Sequence, residues 1–398
     1  MQRIQLPPRP DWREKAESLG FSFHTMHGQA YWDESSAYAF TLRQIEDDIE
    51  DPAAALHALC LEAVEHVVAS QELMERLGIP DLHRDLVAES WRAREPSLYG
   101  RFDLAYDGTG PAKLLEYNAD TPTSVYEAGS FQWLWLEDMI EAGALPGAEP
   151  DQFNLLHESL VARFREIAPE GTPIHFTSFR GHEEDFATVE YLAWIAKEAG
   201  MVAHYVPLDG IGVTTSGQFA DDEARVIGTL FKLYPWEDIL LDDFAQHLSG
   251  AHCRFIEPAW KALLSNKGIL PVLWRLFEGH PNLLPAFFAD EMQAGNPLFE
   301  RAREDIERAH VIKPIFSREG ASIEIVERGR TTERSANRDY DRHPAIVQAY
   351  QPLPVFDGAR PVLGAWIVGE ACVGLGLRED DARITQDLSR FKPHFITD

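Results

Sequence analysis

The sequence predicts a mixed protein, α/β in its middle and α+β toward its end. Two observations carry that prediction. From Pro173 an apolar run IHFTSF is followed by a polar loop RGHEED, a helix-periodic FATVEYLAWIAKEAG and a second apolar run MVAHYVPL. Strand, loop, helix ending at Gly200, strand is the order of a βαβ unit. After Ile256, short strand-like runs follow one another too closely for crossover helices, so most of their sheet is expected to be antiparallel.

The elements follow in order. The first hundred residues read as mostly helical. Asp51–Pro52 places an N-cap before Pro at the first helical position, and Leu56, Leu59, Cys60, Val64, Val67, Val68, Met74 and Leu77 recur at helical spacing. Gly78 and Pro80 end that pattern, so one core-packed helix over 51–77 is expected. GRFDLAYD (100–107), the turn GTGP (108–111) and AKLLEYNAD (112–120) read as a β-hairpin. FQWLWLEDMIEAG (131–143) reads as a buried helix, and RVIGTLFKLY (225–234) as a further strand. LLSNKGILPVLWRLF reads as a helix, and VIKPIF, ASIEIVE, AIVQAYQ, VLGAWIVG and ACVGLGLR as strands. Boundaries are expected near 170 and 255.

Composition excludes several classes. The 398 residues carry 36 Lys plus Arg against 65 Asp plus Glu, a formal charge of −29. That balance repels phosphate polymers, so no nucleic-acid partner is expected. An anionic ligand would need lysines or a divalent metal placed locally. The apolar fraction of 45% is ample for a core. No run of about 18 apolar residues is present and the N-terminus has no apolar leader, so neither a membrane partner nor secretion is expected. Cys60, Cys253 and Cys372 form no CxxC pair, which fits a reducing cytoplasm. The 15 histidines show no metal-motif spacing.

The hairpin is the most informative segment. With the turn centred between Thr109 and Gly110, Asp103 sits opposite Glu116 and Arg101 opposite Asn118, all on one face. Phe102, Leu104, Leu115 and Tyr117 then cover the other. The polar face brings two carboxylates, an amide oxygen and a guanidinium within ~5–6 Å of one another. Those oxygens are the hard set Mg²⁺ takes when phosphate also holds it. An Arg beside them would clamp a transferring phosphoryl group. The same residues also suit a solvated face with an Arg–Asp pair, and a slip of one residue would part the two polar sets.

LLEYNADTPTSVYEAGSFQWLW (114–135), EPAWKALLSNKGILPVLW (257–274), VIKPIFSREGASI (311–323), YQPLPVFDG (350–358) and GLGLREDDARIT (374–385) together resemble the glutathionylspermidine synthetase family in order and spacing. The resemblance covers roughly 90–398. It implies an ATP-grasp fold of permuted order with a pre-ATP-grasp-like α/β substrate domain. Residues 1–170 would hold the helical region and the metal-binding hairpin, 171–255 the α/β domain, and 256–398 the nucleotide lid and sheet. It also implies an ATP-dependent ligase joining a peptide or small acid to an amine through an acylphosphate, with ATP and two Mg²⁺ ions.

The implied roles fall on single residues. Arg101 would contact the reacting phosphoryl and carboxylate groups. Asp103, Glu116 and Asn118 would bind the metal, with Glu116 bridging two ions. Lys267 and Lys313 match the nucleotide lysines, and Gly320 in SREGAS the loop over the phosphates. Gln348, Tyr350 and Gln351 lie in the segment facing adenine, with Ile384 near the base. Asp120, Thr121, Thr123 and Ser124 would hold the acid, together with Arg378 for its carboxylate. Glu183 and Glu184 would hold a cationic amine. Pro122 and Ser124 stand where glutathione-using relatives have another small residue and a cysteine, which counts against glutathione itself. No part of this sequence matches the amidase half of bifunctional relatives, and its hydrolytic activity is expected to be absent. The departures at Pro122, Ser124 and Val362 give an alternative: a catalytically divergent nucleotide-binding or regulatory protein on the same fold. A phosphotransferase acting on a hydroxyl acceptor is a third reading.

Overall fold

A computed structural model describes residues 1–26, 28–386 and 389–397. The first hundred residues are less helical than their pattern predicts, because strands β1 (Gln2–Gln5) and β2 (Ser36–Thr41) pair antiparallel. The helix expected over 51–77 begins earlier and is broken once. A capping box starts it at Thr41: Thr41 Oγ1 accepts from the Gln44 N–H at 3.2 Å, and Gln44 Oε1 from the Thr41 N–H at 3.1 Å. A π-helical turn over Glu46–Glu50 then leads into α1 (Asp51–Val68). The wider turn accommodates Pro52, which has no N–H for the preceding carbonyls. At Ser70 the backbone turns extended, and its Oγ caps α2 (Gln71–Arg76) by accepting from the Leu73 N–H at 3.2 Å. The hydroxyl competes with the helix for backbone groups and breaks it there. Leu56, Cys60, Val64, Met74 and Leu77 still share one core.

Strands β3 (Tyr99–Ala105) and β4 (Lys113–Asn118) form the hairpin, with Arg101 opposite Asn118 and Asp103 opposite Glu116. A β-bulge after Asp103 then pairs Leu104 with Leu114. It corrects the expected apolar face. Phe102, Leu104, Leu114 and Tyr117 enter the core, with the Phe102 and Tyr117 rings stacked 3.9 Å apart. Leu115 instead packs with Ala105, Leu353 and Val362. Bulges commonly re-aim side chains in this way beside functional sites. After a π-helical turn (Glu127–Phe131), α3 (Gln132–Glu141) is amphipathic rather than wholly buried: Trp135, Leu136 and Met139 face inward, and Trp133 and Ile140 outward.

β5 (Pro173–Thr177), α4 (Glu183–Glu198) and β6 (Val202–Tyr205) are the expected βαβ unit. β7 (Thr229–Lys232) and β8 (Arg254–Ile256) extend it to a parallel sheet ordered β8-β7-β5-β6. α4 begins at Glu183, so the acidic residues read as loop occupy its first turn, where the helix dipole favours negative charge.

The helix expected across LLSNKGILPVLWRLF is interrupted. Asn266 donates to the Leu77 carbonyl at 2.6 Å and accepts from the Gly268 N–H at 2.7 Å, which loops SNKG out ahead of α5 (Ile269–Leu276). The strands that follow form two antiparallel sheets, not one. β9 (Ala286–Phe288), β10 (Ala309–Pro314), β11 (Glu324–Glu327), β12 (Arg330–Arg334) and β13 (Ala345–Ala349) are ordered β9-β13-β10-β11-β12. β14 (Arg360–Val368), β15 (Ala371–Asp380) and β16 (Arg390–Lys392) join the hairpin as β16-β15-β14-β3-β4. The last strand, β17 (His394–Thr397), pairs parallel with β2.

The hairpin sheet separates two apolar cores. Phe102, Leu104 and Leu363 face one of them, and Tyr99, Trp366 and Phe391 the other. Among the described residues no helix is long and apolar enough to cross a membrane. Ser70→Ala is expected to cost about 1 kcal/mol of folding stability through the lost cap, read as a lower urea midpoint at an unchanged slope.

Candidate active site

On the second face of the hairpin sheet, polar residues follow Tyr99 along β3 and open onto a cleft of about 830 Å³. Arg101 is buried over the Trp366 ring, 5.6 Å from its centroid. Its Nε donates to Asp103 Oδ1 at 2.8 Å, and its Nη1 donates to the Thr123 carbonyl at 2.9 Å. Gly364, opposite Asp103 on β14, makes room for this: a Cβ there would stand 2.7 Å from Arg101 Cδ. Arg378 on β15 donates to Asp103 Oδ2 at 2.9 Å. Asp103 is thus held between two guanidinium groups.

Glu116 faces ammonium groups instead. Lys267, in the SNKG loop, lies 3.1 Å from Glu116 Oε2, and Asn118 Nδ2 donates to Oε1 at 3.3 Å. Burial works to raise the Glu116 carboxyl, but Lys267 and Lys313 outweigh it and hold it at about 2. Lys313, buried on β10, donates to Gln348 Oε1 at 2.8 Å and to the Leu115 carbonyl at 3.0 Å. Burial, with Lys267 adding to it, brings Lys313 down to about 8 against the pull of Glu116 and Asp103. Both lysines line the same cleft.

Beyond the lysines part of the cleft wall is apolar, with the Arg383 guanidinium 4.8 Å from the Tyr350 ring centroid. Val311, Ile325 and Ile384 pack together with Ile323 and Tyr350, a slot whose shape and chemistry suit a flat aromatic ring. Gln348, Tyr350 and Gln351 line its edge. Gly320 closes over it at φ +68°, where an added Cβ would stand 2.2 Å from the Thr385 carbonyl oxygen.

Another part of the cleft wall is acidic. Glu183, Glu184 and Asp185 of the first turn of α4 line the cleft with Glu237. Burial raises the carboxyls of Asp185 and Glu237. Arg318, beside Gly320, reaches this wall: its guanidinium is 3.7 Å from Glu237 and donates to Thr121 Oγ1 at 3.3 Å. Thr121, Thr123 and Ser124 also line the cleft. Asp120 does not. It is buried beneath the cleft, where one carboxylate oxygen pairs with Lys232 and the other accepts from the Trp236 N–H at 2.8 Å. It belongs to the structural support of the site rather than to a binding surface. Tyr31, Glu237, Arg318 and Arg383 also line the cleft and had no sequence signal of their own, since only folding brings segments so distant together.

The donor set fits a hard cation. Asp103 and Glu116 offer carboxylate oxygens, now paired with side-chain cations that a dication would displace, and Asn118 adds an amide that currently turns its Nδ2 to Glu116. Among the described residues no group of three or more His, Cys, Asp or Glu could hold a metal. Two carboxylates and an amide are a partial ligand set, and an ion held there would need further ligands from outside the protein.

A family model described as the glutathionylspermidine synthase pre-ATP-grasp family matches residues 3–397. The chain belongs to this family. A Haemophilus influenzae protein named as a candidate acid–amine ligase is 38% identical over 410 residues, covering all of both chains. A trypanothione synthetase of Crithidia fasciculata is 26% identical, over 83% of this chain and 52% of that one. The bifunctional glutathionylspermidine synthetase/amidase of Escherichia coli is 24% identical, over 97% of this chain and 63% of that one. The chain therefore spans about half to two thirds of these two longer relatives. Among solved structures, a glutathione synthetase-like effector of Globodera pallida shares the fold, with a TM-score of 0.55 at 13% identity over 91% of this chain and 89% of that one.

Asp120→Ala would leave the Lys232 ammonium buried and unpaired. It is expected to cost about 3–5 kcal/mol of stability, read by urea unfolding.

Proposed function

We propose that the chain is an ATP- and Mg²⁺-dependent acid–amine ligase that forms an amide through an acylphosphate, on an ATP-grasp fold of permuted order. In this reading 171–255 is the pre-ATP-grasp-like part, and the flanking regions form the grasp. The carrying observation is what one cleft brings together: two lysines, the loop carrying Gly320, the Arg101–Asp103–Glu116–Asn118 face and the acidic first turn of α4. The family assignment and the ligase and synthetase names of the relatives support it.

The triphosphate would lie along Lys267 and Lys313 under Gly320, with its base in the slot by Ile384 and Tyr350. Asp103, Glu116 and Asn118 would hold two Mg²⁺ ions, which would neutralise phosphate charge. Arg101 and Arg378, with Thr121, Thr123 and Ser124, would hold the acid so that its carboxylate oxygen attacks the γ-phosphorus and ADP departs. Glu183 and Glu184, with Asp185 and Glu237, would attract the ammonium of the amine. The amine nitrogen then attacks the activated carbonyl carbon, and the C–O bond to phosphate breaks. Such transfer needs positioning and charge balance rather than a protein nucleophile. The closed Gly320 loop would keep water from the acylphosphate. The free cysteines support a cytoplasmic setting.

The test is a mass-spectrometric screen of peptide acids against polyamines and amino acids with ATP and Mg²⁺. A condensation product is expected, with ADP release that requires both acid and amine. ADP released without the amine would sink the ligase reading. Asp103→Asn is expected to abolish ADP release with an unchanged circular dichroism spectrum, and retained turnover would contradict the site.

Lys313 supplies a pH prediction. Above about 8 the lysine loses its charge, whereas bound phosphates favour the charged form. ATP binding at pH 9 is then expected to take up protons, and affinity to fall as the pH rises through 8. Calorimetry in buffers of different ionisation enthalpy would show the uptake, and Lys313→Arg would remove it.

A further inference from the structure

Tyr31, Ser124 and Glu127 come from separate segments and meet beside the cleft. Tyr31 and Ser124 line it, and Glu127, on the π-helical turn behind them, is fully buried. The Tyr31 hydroxyl donates to Glu127 Oε1 at 2.6 Å and lies 3.0 Å from Ser124 Oγ. Ser124 is held at φ +67°, a conformation that residues with a β-carbon seldom adopt. The second carboxyl oxygen, Glu127 Oε2, has no hydrogen-bond partner.

The polarity of this chain follows from proton counting. A phenol has one proton. While Tyr31 donates it to Glu127, its oxygen accepts from Ser124, and the serine lone pairs are left for a ligand in the cleft. If Glu127 gains a proton on Oε1, the chain reverses and Ser124 becomes a donor to the cleft. The groups that act on Glu127 are Tyr31, Glu184, its own backbone N–H and Arg101. Burial first, then Glu184, pushes the carboxyl up to about 8, and Tyr31 and Arg101 pull the other way.

We propose, on the ligase reading above, that Ser124, Tyr31 and Glu127 form a proton wire that deprotonates the amine nucleophile and stores its proton on the buried carboxyl. An ammonium arriving near Glu184 favours the ionised form of Glu127 and so readies the acceptor. The ammonium gives a proton to Ser124 Oγ as the serine proton moves to Tyr31 and the tyrosine proton to Glu127. The nitrogen lone pair then forms the C–N bond at the acyl carbon, and the C–O bond to phosphate breaks with its electron pair on the phosphate. The surplus proton on the new amide nitrogen leaves with that phosphate. Glu127 later returns its proton to solvent.

The test compares two nucleophiles with the acid found by the screen. Glu127→Gln and Tyr31→Phe are each expected to slow amide formation from spermidine about 100-fold. With hydroxylamine, which is uncharged at neutral pH and needs no base, turnover is expected to stay within a few-fold of wild type. Equal loss with both nucleophiles marks a structural role and overturns the wire, as does undiminished turnover of spermidine. Infrared difference spectra give an independent reading: a neutral-carboxyl C=O band that grows while the wild type turns over spermidine and that Glu127→Gln removes supports the wire, and absence of that band during turnover overturns it. A wild type that makes neither amide nor hydroxamate overturns the ligase reading. That outcome is distinct from failure of the wire alone, in which the wild type ligates and the variants either ligate equally well or lose both nucleophiles alike.

Discussion

The antiparallel register of one hairpin places Asp103 beside Glu116, and the cleft is built around keeping those two negative charges in company. Four cations do so: Arg101 and Arg378 at Asp103, Lys267 and Lys313 at Glu116. In a chain with a formal charge of −29, cations gathered so closely are a local exception. Each is half-spent on a carboxylate. On the ligase reading proposed above, a triphosphate with its metal would exchange partners with this set, each displaced charge finding another.

That exchange needs parts of the chain that are far apart. Arg378 arrives on β15 because the closing strands add to the hairpin's edge, and Lys267 is presented by a loop that Asn266 ties to the Leu77 carbonyl. Lys313 is threaded under β4, where Gln348 holds it. Two glycines permit the closeness. Gly364 leaves space for the Arg101 stem, and Gly320 lets the loop sit on the Thr385 carbonyl. The acidic first turn of α4 sits at the positive end of its own helix, which eases the crowding of like charges.

Much of the site was legible because its core is local. Residues 101, 103, 116 and 118 lie on two strands joined by a short turn, and period-two alternation puts them on one face whatever the remainder does. The parallel βαβ unit was legible for the same reason. The bulge after Asp103 was not, since nothing in the local pattern marks the extra residue that moves Leu115 to the cleft side. The break at Ser70 and the capping box at Thr41 had readable signatures, Ser before an apolar run and Thr-x-x-Gln. Apolar periodicity alone passed over both. Asp120 shows the opposite failure. It is adjacent to binding residues in sequence, yet the chain turns its carboxylate toward Lys232, and only burial distinguishes it from Thr121.

By itself, then, the order of residues determined the alternation of strands, the facing of the two carboxylates and the chemical types available for binding, because these depend on backbone geometry over a few residues. The tertiary structure decided which cations neutralise which anions, where the apolar slot lies and that Tyr31 meets Ser124 and Glu127. Those relations join segments separated by tens to hundreds of positions. Coulomb interaction and desolvation act on distance in space, not along the chain, so they become definite only once the sheets have closed.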